Sequence, residues 1–561
     1  MTSAHLQPSR RDWTEGALAQ IGSRSEGLMV GAAFLLALLL FLPGQWTLPV
    51  TDRDEARFAQ ASRQILETGD LIDIRFQETA RHKKPALAYW AQAGTASLAG
   101  GAEAAIGAFR APSWIAAAGA VALTFWAGLA LVGRPAAMLA GAGLACVALL
   151  AVEARLAKTD ALLLLACVAA LGALARIQSG GGDARRWALL LWLAVGAGLL
   201  IKGPIILIPI AGGLAGAALA ARSWAPIRAA VPLWGPALAL ALAAPWLIAI
   251  TLVSDGAFWT ESVGRDLLAK AASGQESHGA PPGYHTLVAF AAFWPWAILL
   301  PVAAPLVWRA RARPETALLL GWVAATWLVF ELVPTKLPHY TLPAYPALAL
   351  LLAAAAVEGL PAPARGWRGA MVALWALPAA ALAGAATLGP WAIVGAPSAG
   401  GLALGLATLA AALVAGRALW DWRLAVFAPA AAVSAALGAT AVLHFALPAL
   451  SVAFPAPAMA AETARWRCGD ARPVALTGYR EPSAVFHLGT DTLLTDGPGA
   501  AQAVAEGRAG LAWIDARARD IFLAAYPDAA SRAQLDAFNY SNGRRVSLTL
   551  YDAREGGVCA R

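Results

Sequence analysis

Residues 51–90 read TDRDEARFAQASRQILETGDLIDIRFQETARHKKPALAYW and follow the first long apolar segment of the chain. The start of this stretch holds five charged residues in a window of six: Asp52, Arg53, Asp54, Glu55 and Arg57. Carboxylates at the boundary of a bilayer are costly unless they are solvated, paired or used in chemistry. Asp54 and Glu55 therefore indicate either a functional site at the membrane surface or a solvated helix end whose acids pair with the neighbouring arginines. We predict the functional site.

The composition predicts that this boundary belongs to a membrane protein. Of the 561 residues, 59% are hydrophobic and 14% are charged, whereas a soluble domain carries roughly 25% charged residues. Many apolar runs exceed the roughly 18 residues of a spanning helix and are too long for barrel strands. The chain is therefore predicted to be a polytopic α-helical membrane protein. Its net charge of +8 comes mainly from arginines in short loops between the apolar runs, which is typical of membrane topology and does not indicate a nucleic-acid partner.

Thirteen apolar segments qualify as candidate spans. They lie at residues 28–49, 106–132, 136–153, 160–177, 187–201, 204–221, 230–253, 285–308, 315–333, 341–358, 369–388, 399–416 and 424–447. Arginines follow every even-numbered span, and the positive-inside rule therefore places those loops in the cytoplasm. The expected organisation is a cytoplasmic tail at 1–27, with span one as an uncleaved anchor, and a transmembrane domain at 28–449.

The same parity places the first outer loop, 50–105, on the opposite side of the membrane. Within it, residues 86–100 are too few to cross a bilayer and are predicted to form a helix at the interface, as are residues 55–67. Five charged segments from distant parts of the chain share this outer side: 52–84, 153–160, 202–204, 254–284 and 334–340. Their convergence on one membrane face is the pattern expected of an active site.

From residue 460 to 561 the composition becomes charged and mixed, and this length suffices for a small domain. Strand-like runs at 473–477, 484–488 and 545–551 alternate with helical stretches at 500–508, 516–525 and 530–538. We expect a C-terminal α/β domain on the outer, periplasmic side. Cys468 and Cys559 lie near its two ends and are predicted to form a disulfide, the alternative being two separate thiols. The other two cysteines fall within spans as small apolar residues.

Carboxylates supply the first part of the predicted chemistry. Asp54 is placed to accept a proton from an attacking hydroxyl or amine, or to hold a polar acceptor. Asp160 begins span four, where an acid also has a structural use, because it caps a helix and interacts favourably with the helix dipole. Four charged residues between residues 153 and 160 are more than a cap requires.

Cations supply the second part. Positive-inside bias disfavours lysines on the outer side, yet Lys83, Lys84, Lys202 and Lys336 all fall there, the last beside His339 and Tyr340. Phosphate on an anionic lipid gives such lysines a function; the alternative is that they extend to the interface as anchors. His278 lies in the loop before span eight, where a lone histidine is more often structural than a ligand. The chain contains no nucleotide-binding G-x-x-x-x-G-K-[ST] motif.

In combination, these motifs resemble those of the aminoarabinose transferase and protein O-mannosyltransferase-like family of GT-C fold glycosyltransferases. The matching residues are Asp54-Glu55-Ala56-Arg57-Phe58-Ala59, Leu66-Glu67-Thr68-Gly69-Asp70, Lys84-Pro85, Tyr89-Trp90, Arg155-Leu156-Ala157-Lys158-Thr159-Asp160, Lys202-Gly203-Pro204 and Lys336-Leu337-Pro338-His339-Tyr340-Thr341-Leu342-Pro343. The resemblance covers the whole chain, including the order of spans followed by an outer domain.

The resemblance implies a polyprenyl-phosphate-sugar-dependent glycosyltransferase of the EC 2.4 class in a bacterial inner membrane. A sugar, 4-amino-4-deoxy-L-arabinose or a hexose, passes by inverting displacement to a lipid A, glycan or protein acceptor. Asp54 is implied as the general base or as the acid that orients the acceptor, Glu55 as its catalytic neighbour and Asp160 as a second essential carboxylate near the sugar or acceptor. The implied donor-phosphate ligands are Lys84, Lys202, Lys83, Arg57, Tyr340 and Tyr345. His278, Lys336 and His339 are candidates for the acceptor site.

One departure concerns metal binding. Many relatives carry Glu before the Lys-Pro, and that Glu, together with the loop His, can hold a metal; here the position is Lys83. We therefore expect no cofactor for the chemistry and leave metal binding open. The chain is expected to act as a monomer among membrane lipids. The rival hypotheses are a transporter or flippase of lipid-linked sugars and a membrane scaffold, and the one-sided charges without an internal repeat favour the transferase over both.

Overall fold

The computed structural model describes residues 26–180, 183–272 and 279–554. Helices dominate the part before residue 455. They are α1 Glu26–Phe41, α2 Asp54–Thr68, α3 Leu87–Ser97, α4 Ile106–Leu131, α5 Gly133–Ala145, α6 Ala148–Glu153, α7 Asp160–Ser179, α8 Ala184–Lys202, α9 Leu207–Ala221, α10 Ala225–Ala230, α11 Trp234–Val253, α12 Tyr284–Ala292, α13 Leu300–Arg309, α14 Pro314–Leu332, α15 Tyr345–Glu358, α16 Arg365–Thr387, α17 Gly389–Val394, α18 Ala399–Trp420 and α19 Leu424–Thr440.

Within the described residues, nine helical segments are long and apolar enough to cross a membrane, and Glu26–Phe41 and Ala297–Arg309 are shorter apolar helices. Each of the thirteen predicted spans coincides with a described helical segment. One of the nine runs over 38 residues, Ala184–Ala221, and contains two predicted spans. The helical membrane character is therefore confirmed, whereas the number of crossings stays a prediction.

The 38-residue segment folds back on itself. A straight helix of that length would measure about 57 Å, well beyond the roughly 30 Å core of a bilayer. Gly203, with a positive φ of 70°, interrupts it between α8 and α9. The short helix α10, which follows α9 after three residues, returns to the middle of α8, where Trp192 Nε1 donates to the Ala230 carbonyl at 2.9 Å. Lys202 thus lies at the far end of a helical hairpin.

Two predicted spans are each broken into two helices, and the two breaks contact each other. The span predicted at 136–153 breaks between α5 and α6, and the one predicted at 285–308 breaks between α12 and α13. The Ala148 amide donates to the Trp294 carbonyl at 3.0 Å, and Trp296 Nε1 donates to the Gly143 carbonyl at 2.7 Å. Broken helices persist at membrane depth only where buried partners satisfy the freed backbone groups. Here each broken span supplies partners to the other.

Glycines let two of the helices approach closely. A Cβ added at Gly212 or Gly216 of α9 would lie 2.3 or 2.1 Å from backbone oxygens of α14, and one added at Gly321 of α14 would lie 2.1 Å from the Gly212 oxygen. Helices in lipid associate through such small-residue contacts because burial from water supplies no driving force there.

The region predicted as the first outer loop, residues 50–105, begins with α2 and α3, the two helices predicted there. Gly69 ends α2 in the left-handed conformation, with φ at 75°, and its amide caps the Ile65 carbonyl at 2.9 Å. Between the helices lies a hairpin of two short strands, β1 Arg75–Phe76 and β2 Thr79–Ala80. At 11 residues, α3 is too short to cross a bilayer, and its position at the membrane interface stays a prediction.

The C-terminal domain is a mixed α/β unit. Its elements are α20 Ala456–Arg467, β3 Val474–Leu476, α21 Pro482–Leu488, β4 Leu493–Leu494, α22 Gly497–Ala505, β5 Leu511–Asp515, α23 Arg519–Ala525, β6 Ala530–Asn539 and β7 Arg544–Asp552. The strands form one sheet in the order β4-β3-β5-β7-β6, parallel across β4, β3 and β5 and antiparallel across the rest. The predicted α/β domain is confirmed.

Two local predictions in this domain were wrong. Residues 484–488, predicted as a strand, belong to helix α21, which starts with Pro482 at a position where its missing N–H costs nothing. Residues 530–538, predicted as a helix, form strand β6, because ten residues there pair along β7. Cys468 is disulfide-bonded, while its predicted partner, Cys559, lies outside the described residues.

The C-terminal domain contacts the first outer loop through Asp52. The Asp52 carboxylate accepts hydrogen bonds from the Tyr479 hydroxyl at 2.7 Å and the Ser483 amide at 3.0 Å. The Asp52 amide in turn donates to the Tyr540 hydroxyl at 2.6 Å. Arg63 of α2 donates to the Phe486 carbonyl and lies over the Phe486 ring. The domain therefore holds the beginning of α2, and with it Asp54 and Glu55, in place.

Candidate active site

Glu55 lies in a closed pocket of hydrogen bonds. Its two oxygens accept from the Arg110 guanidinium of α4 at 2.7 and 3.0 Å. The Thr51 amide and hydroxyl, each at 2.8 Å, and the Ala157 amide at 3.0 Å complete the set. Burial acts to raise the pKa of Glu55, but Arg110 and these hydrogen bonds lower it overall. Glu55 and Arg110 are 1% and 0% exposed, so the pair is buried, bidentate and saturated.

Asp54, one residue earlier, has the opposite surroundings. It begins α2 and its side chain is open to solvent. Desolvation by the surrounding protein acts to raise the pKa of Asp54, but the charges of Lys158 and Arg81, with His339, lower it overall. Asp54 is therefore an accessible, ionised carboxylate that faces cations from other parts of the chain.

Asp160 is the centre of a charged cluster, which we call the Asp160 cluster: Glu153, Lys158, Asp160, Lys202 and His339. Lys202 Nζ lies 2.5 Å from one Asp160 oxygen, and Lys158 Nζ lies 3.7 Å from the other. Lys158 Nζ also donates to Glu153 at 3.0 Å. Because Asp160 begins α7 and Lys202 ends α8, the packing of these two helices brings the carboxylate to the ammonium.

His339 completes this cluster from a third element, a 3₁₀ helix at Pro338–Ala344. Its two ring nitrogens lie 3.8 Å from Glu153 and from Asp160. Metal-binding atoms of Glu153, Asp160 and His339 lie within 4.8 Å of one another, which is close enough to surround one ion. The Lys158 and Lys202 ammonium groups already contact the same two carboxylates, and like charge opposes adding a divalent cation there. We therefore interpret the cluster as internally neutralised.

Lys84 belongs to a second charged group, whose other members come from the loop before α12. It forms an ion pair with Asp266, on a π-helix at Thr260–Leu268, and Lys270 pairs with the other Asp266 oxygen at 2.7 Å. Burial raises the pKa of Asp266, but the two lysines lower it overall. Burial lowers the pKa of Lys84, against the opposing charge of Asp266, and the nearby charge of Lys202 lowers it further. Lys84 and Lys202 thus lie within electrostatic reach of each other.

The two candidate tyrosines, Tyr340 and Tyr345, lie in different surroundings. Tyr340 lines a small pocket with Asp160, Lys202 and His339, and its ring lies 5.8 Å from Lys202 Nζ. Tyr345 is 1% exposed and packs edge-on against Phe293 in the helical core. Only Tyr340 of this pair contacts the charged site, because Tyr345 points into the bundle from the first turn of α15.

Lys336 does not face the charged site, which corrects its prediction as an acceptor residue. Its ammonium donates to the carbonyls of Phe330 at 3.0 Å and Glu331 at 2.7 Å, and to that of Val333. These are the last carbonyls of α14, which have no partners within the helix, and a cation there satisfies them and the helix dipole. Lys336 is a helix cap.

Three predicted site residues remain: Arg57, Lys83 and His278. Arg57 lies one turn after Asp54 on α2 and is partly exposed. The Lys83 side chain is exposed, and its backbone carbonyl accepts from Ser262 at 3.4 Å. His278 lies outside the described residues.

Comparison with known proteins adds independent support for the family. The family model described as dolichyl-phosphate-mannose-protein mannosyltransferase matches residues 83–248. The chain is 32% identical over 336 residues to an undecaprenyl phosphate-alpha-4-amino-4-deoxy-L-arabinose arabinosyl transferase of Pectobacterium carotovorum, covering 57% of each chain. Over a little more than half of its length, the chain is thus similar to aminoarabinose transferases. An enzyme of the same description from Aeromonas salmonicida is 33% identical over 335 residues, covering 58% of this chain and 59% of the relative.

The alignments therefore span less than two thirds of these relatives' length. A solved structure extends the likeness in fold to nearly the whole chain. ArnT from Cupriavidus metallidurans, in a crystal structure bound to undecaprenyl phosphate, superposes with a TM-score of 0.72 at 20% identity, covering 94% of this chain and 98% of that one. The GT-C fold is thus shown for the described helices and the C-terminal domain together.

Several residues of this family site carried too little sequence signal to be selected. Arg110 lies within an apolar span, where an intramembrane arginine is itself a sign of a buried partner. Arg81 donates to the Tyr89 hydroxyl at 3.1 Å and lies 5.0 Å from the Phe58 ring, beside Asp54. Asp266 is one acid in a long loop, and its ion pair with Lys84 is visible only in the folded structure.

Proposed function

We propose that the protein is a glycosyltransferase of the EC 2.4 class that moves a sugar from a polyprenyl-phosphate donor to an acceptor at the outer face of the membrane. The carrying observation is the convergence of Asp54, Lys84, Asp160 and Lys202, which come from four segments of the chain, on one charged site. The names of the relatives, and the undecaprenyl phosphate bound to the structural relative, support a polyprenyl-phosphate donor for this chain.

Lys84 and Lys202 are the proposed ligands of the donor phosphate, with Arg57 and Tyr340 beside them. Phosphate is the leaving group of the reaction, so negative charge develops on it as the bond to the sugar breaks. Ammonium groups that are already oriented stabilise that charge without reorganising at the moment of reaction. Asp160 orients Lys202 through their 2.5 Å contact, and we therefore assign Asp160 to the positioning of the phosphate ligand.

Asp54 is the proposed general base. The acceptor oxygen attacks the anomeric carbon while the bond from that carbon to the phosphate oxygen breaks, and the electron pair of that bond leaves on the phosphate. The acceptor proton passes to the Asp54 carboxylate, which is ionised and open to solvent. One displacement inverts the anomeric carbon and requires no covalent enzyme intermediate. Glu55, whose oxygens are all engaged, acts by fixing the start of α2.

The membrane placement is part of the proposal. Thirteen crossings, a cytoplasmic N-terminus, and a periplasmic site and C-terminal domain in a bacterial inner membrane follow from the arginine parity of the loops. We further propose that the protein works as a monomer. Blocking of single introduced cysteines by an impermeant thiol reagent tests the orientation: residue 541 is expected to react in intact spheroplasts, and residue 312 only after lysis.

No metal is proposed for the transfer chemistry. The Asp160 cluster carries two ammonium groups next to its carboxylates, so the charge that a divalent ion would neutralise is already balanced. Transfer in the presence of excess EDTA, after extensive dialysis, is expected to stay within twofold of the untreated rate. A loss of more than tenfold that zinc or magnesium restores would contradict this part of the proposal.

A donor panel in proteoliposomes tests the function as a whole. Polyprenyl phosphates carrying labelled aminoarabinose, glucose or mannose are incorporated with the purified protein, and lipid and glycan acceptors are added. Label that appears on an acceptor establishes the transferase and identifies the sugar. Labelled donor that only moves between leaflets, chemically intact, would establish a flippase instead.

A further inference from the structure

Arg53 has a backbone conformation that residues with a side chain rarely adopt. Its φ is 67° and its ψ is −103°. Arg222 and Cys468 also have positive φ, but their ψ of 39° places them in the left-handed helical region, which Arg53 does not occupy. Such a backbone persists only where the surrounding structure imposes it. Because Arg53 directly precedes Asp54, the proposed general base, this strain lies at the active site.

The chain just before Arg53 is held by the membrane domain. The amide and the hydroxyl of Thr51 donate to the Glu55 carboxylate, each at 2.8 Å. Arg110, which pairs with Glu55, also donates to the Leu48 carbonyl at 2.7 Å. The segment that leads into α2 is therefore tied to α4 up to residue 51.

The next residue, Asp52, is held by two tyrosines of the C-terminal domain. The Tyr479 hydroxyl donates to the Asp52 carboxylate at 2.7 Å, and the Tyr540 hydroxyl accepts from the Asp52 amide at 2.6 Å. The Arg53 guanidinium also donates to the Ser541 carbonyl. We call these three contacts the tyrosine latch. Adjacent residues of the chain are thus fixed by different domains, and the strain falls on the residue that follows them.

The two tyrosines of the latch differ in burial. Tyr479 and Asp52 are 1% and 9% exposed, and the Ser483 amide also donates to the Asp52 carboxylate, at 3.0 Å. Removal of a donor from a buried carboxylate is costly, because water does not replace it. Tyr540 is 39% exposed, so its hydroxyl is removed without opening the core of the domain.

Other contacts fix the C-terminal domain along the rest of α2. The Thr490 hydroxyl donates to the Glu67 carboxylate at 2.8 Å and accepts from the Gln60 amide at 2.6 Å. In the middle of the helix, Arg63 donates to the Phe486 carbonyl. Loss of one tyrosine hydroxyl therefore leaves the domain docked, and its effect is confined to the beginning of α2.

We propose that Tyr479 and Tyr540 are positioning residues of the transfer reaction, and that the C-terminal domain is thereby part of the active site. Their hydroxyls keep Arg53 in its strained conformation, and this turn aims the Asp54 carboxylate at the attacking acceptor oxygen. Without the latch, Arg53 relaxes to a negative φ and the carboxylate turns away. A misplacement of about 1 Å lowers a rate about a hundredfold. The proposal rests on the transferase function stated above and gives the C-terminal domain a role in it.

Steady-state kinetics of two conservative variants tests the proposal. Tyr540→Phe and Tyr479→Phe each remove one hydroxyl, and each is expected to lower kcat at least fivefold. The donor KM is expected to stay within twofold of wild type, because the proposed phosphate ligands Lys84 and Lys202 lie on other segments. Melting temperatures check that each variant is folded.

Tyr551→Phe is the matched control. Tyr551 lies on β7 of the same sheet and is 2% exposed, and its hydroxyl has no hydrogen-bond partner among the described residues. Its removal is expected to leave kcat within twofold of wild type. An unchanged kcat in both latch variants, or an equal fall in the control, would overturn the proposal.

Substitutions of Arg53 test whether strain is what the latch holds. Arg53→Gly removes the Cβ that disfavours this conformation, whereas Arg53→Ala keeps the Cβ and loses the same contact with Ser541. In the Arg53→Gly background, Tyr540→Phe is expected to lower kcat less than twofold, because the turn no longer needs the latch. In the Arg53→Ala background, the fall is expected to stay at least fivefold. Equal falls in the two backgrounds would contradict the strained turn and overturn the proposal.

Hydrogen exchange separates this proposal from the transferase function. Tyr540→Phe is expected to speed amide exchange at residues 51–57, and Tyr551→Phe is expected to leave it unchanged. If wild type transfers sugar and both latch variants keep its kcat, the positioning role fails while the transferase function stands. If wild type transfers nothing from any donor, the transferase function fails; faster exchange in Tyr540→Phe would then still support the latch, and unchanged exchange would overturn it as well.

Discussion

The pocket of Glu55 and the Asp160 cluster are two buried carboxylate centres that are built differently. They are neighbours, because the Ala157 amide, three residues before Asp160, donates to Glu55. In the pocket of Glu55, every contact is a hydrogen bond of 2.7 to 3.0 Å and the partners are one arginine, one threonine and one backbone amide. In the Asp160 cluster, two contacts are short, at 2.5 and 3.0 Å, but three others are 3.7, 3.8 and 3.8 Å. One buried Glu153 oxygen has no hydrogen-bond partner among the described residues.

The difference indicates which centre can exchange partners. A saturated, bidentate pair fixes geometry, because any movement leaves a buried charge unpaired. A loosely paired group of carboxylates and ammonium ions can admit a phosphate in place of an internal contact. We therefore assign the Glu55 pocket to the positioning of α2 and the Asp160 cluster to the binding of substrate.

The largest expected effect comes from breaking the saturated pair. Arg110→Ala leaves Glu55 buried without its cation, and removing one partner of a buried pair costs about 3–5 kcal/mol. We expect a large fall in melting temperature and poor recovery in detergent. The Arg57→Ala variant, an exposed position on the adjacent helix, is the control and is expected to melt within a few degrees of wild type. An Arg110→Ala protein as stable as wild type would show that the pocket does not hold α2.

Lys202 and Lys336 both lie in motifs that resemble those of the family, but their substitutions are expected to affect donor binding differently. Lys202→Met removes a proposed phosphate ligand and is expected to weaken undecaprenyl phosphate about tenfold to a hundredfold, since charge-assisted bonds contribute about 1.5–3 kcal/mol. Lys336→Met removes a helix cap and is expected to lower the melting temperature without changing that Kd. Isothermal titration of both variants checks the pair. If Lys202→Met and Lys336→Met weakened the binding of undecaprenyl phosphate equally, the two lysines would not have different roles.

A smaller effect is expected at Asp266, which pairs with Lys84 where the donor phosphate is proposed to bind. Asp266→Asn frees Lys84 from a competing anion, so the donor KM is expected to fall about twofold to fivefold, the effect of an ion pair that contributes about 0.5–1 kcal/mol. Glu261→Gln, on the same loop, is the control, because Glu261 forms an ion pair with Arg265 and not with Lys84. A rise in donor KM for Asp266→Asn would indicate that Asp266 orients Lys84 instead of competing for it.

The smallest expected effect concerns pH. The pKa of Asp54 is lowered below its usual 3.8, so its carboxylate, and any stability that its ionised form contributes, is lost only as the pH falls through that low value. The kcat/KM for transfer at pH 5 is therefore expected to be within twofold of its value at pH 7. An acidic limb near pH 6 would mean that burial, which acts to raise the pKa of Asp54, outweighs the cations.

The sequence supported the fold well because its signals are long. Apolar runs predicted the helical segments, and such a run is an average over many residues. The outer face that the loop arginines indicate stays a prediction. Strand β6 was missed because residues 530–538 contain helix-compatible alanines, and their pairing along β7 is a tertiary effect. The same limit applied to α21, whose start is held by the contact of Ser483 with Asp52.

The site was predictable only in part for a related reason. Motif spacing selected Asp54, Lys84, Asp160 and Lys202, which the structure brings to one charged site. It could not separate Asp54 from Glu55, because the partner that distinguishes them, Arg110, lies 55 residues away. Nor could it separate Lys202 from Lys336, since a lysine that caps its own preceding helix has the same sequence signature as one that binds phosphate.

One measurement tests the division between the two neighbouring carboxylates most directly. Asp54→Asn and Glu55→Gln are compared in proteoliposomes for transfer of labelled sugar from polyprenyl phosphate, with melting temperatures measured on the same preparations. Loss of a general base typically costs about 10²–10⁴ in rate. We predict that loss for Asp54→Asn with an unchanged melting temperature, and a lower melting temperature with a smaller loss of rate for Glu55→Gln. The reverse pattern, with Glu55→Gln inactive but stable and Asp54→Asn active, would contradict the account.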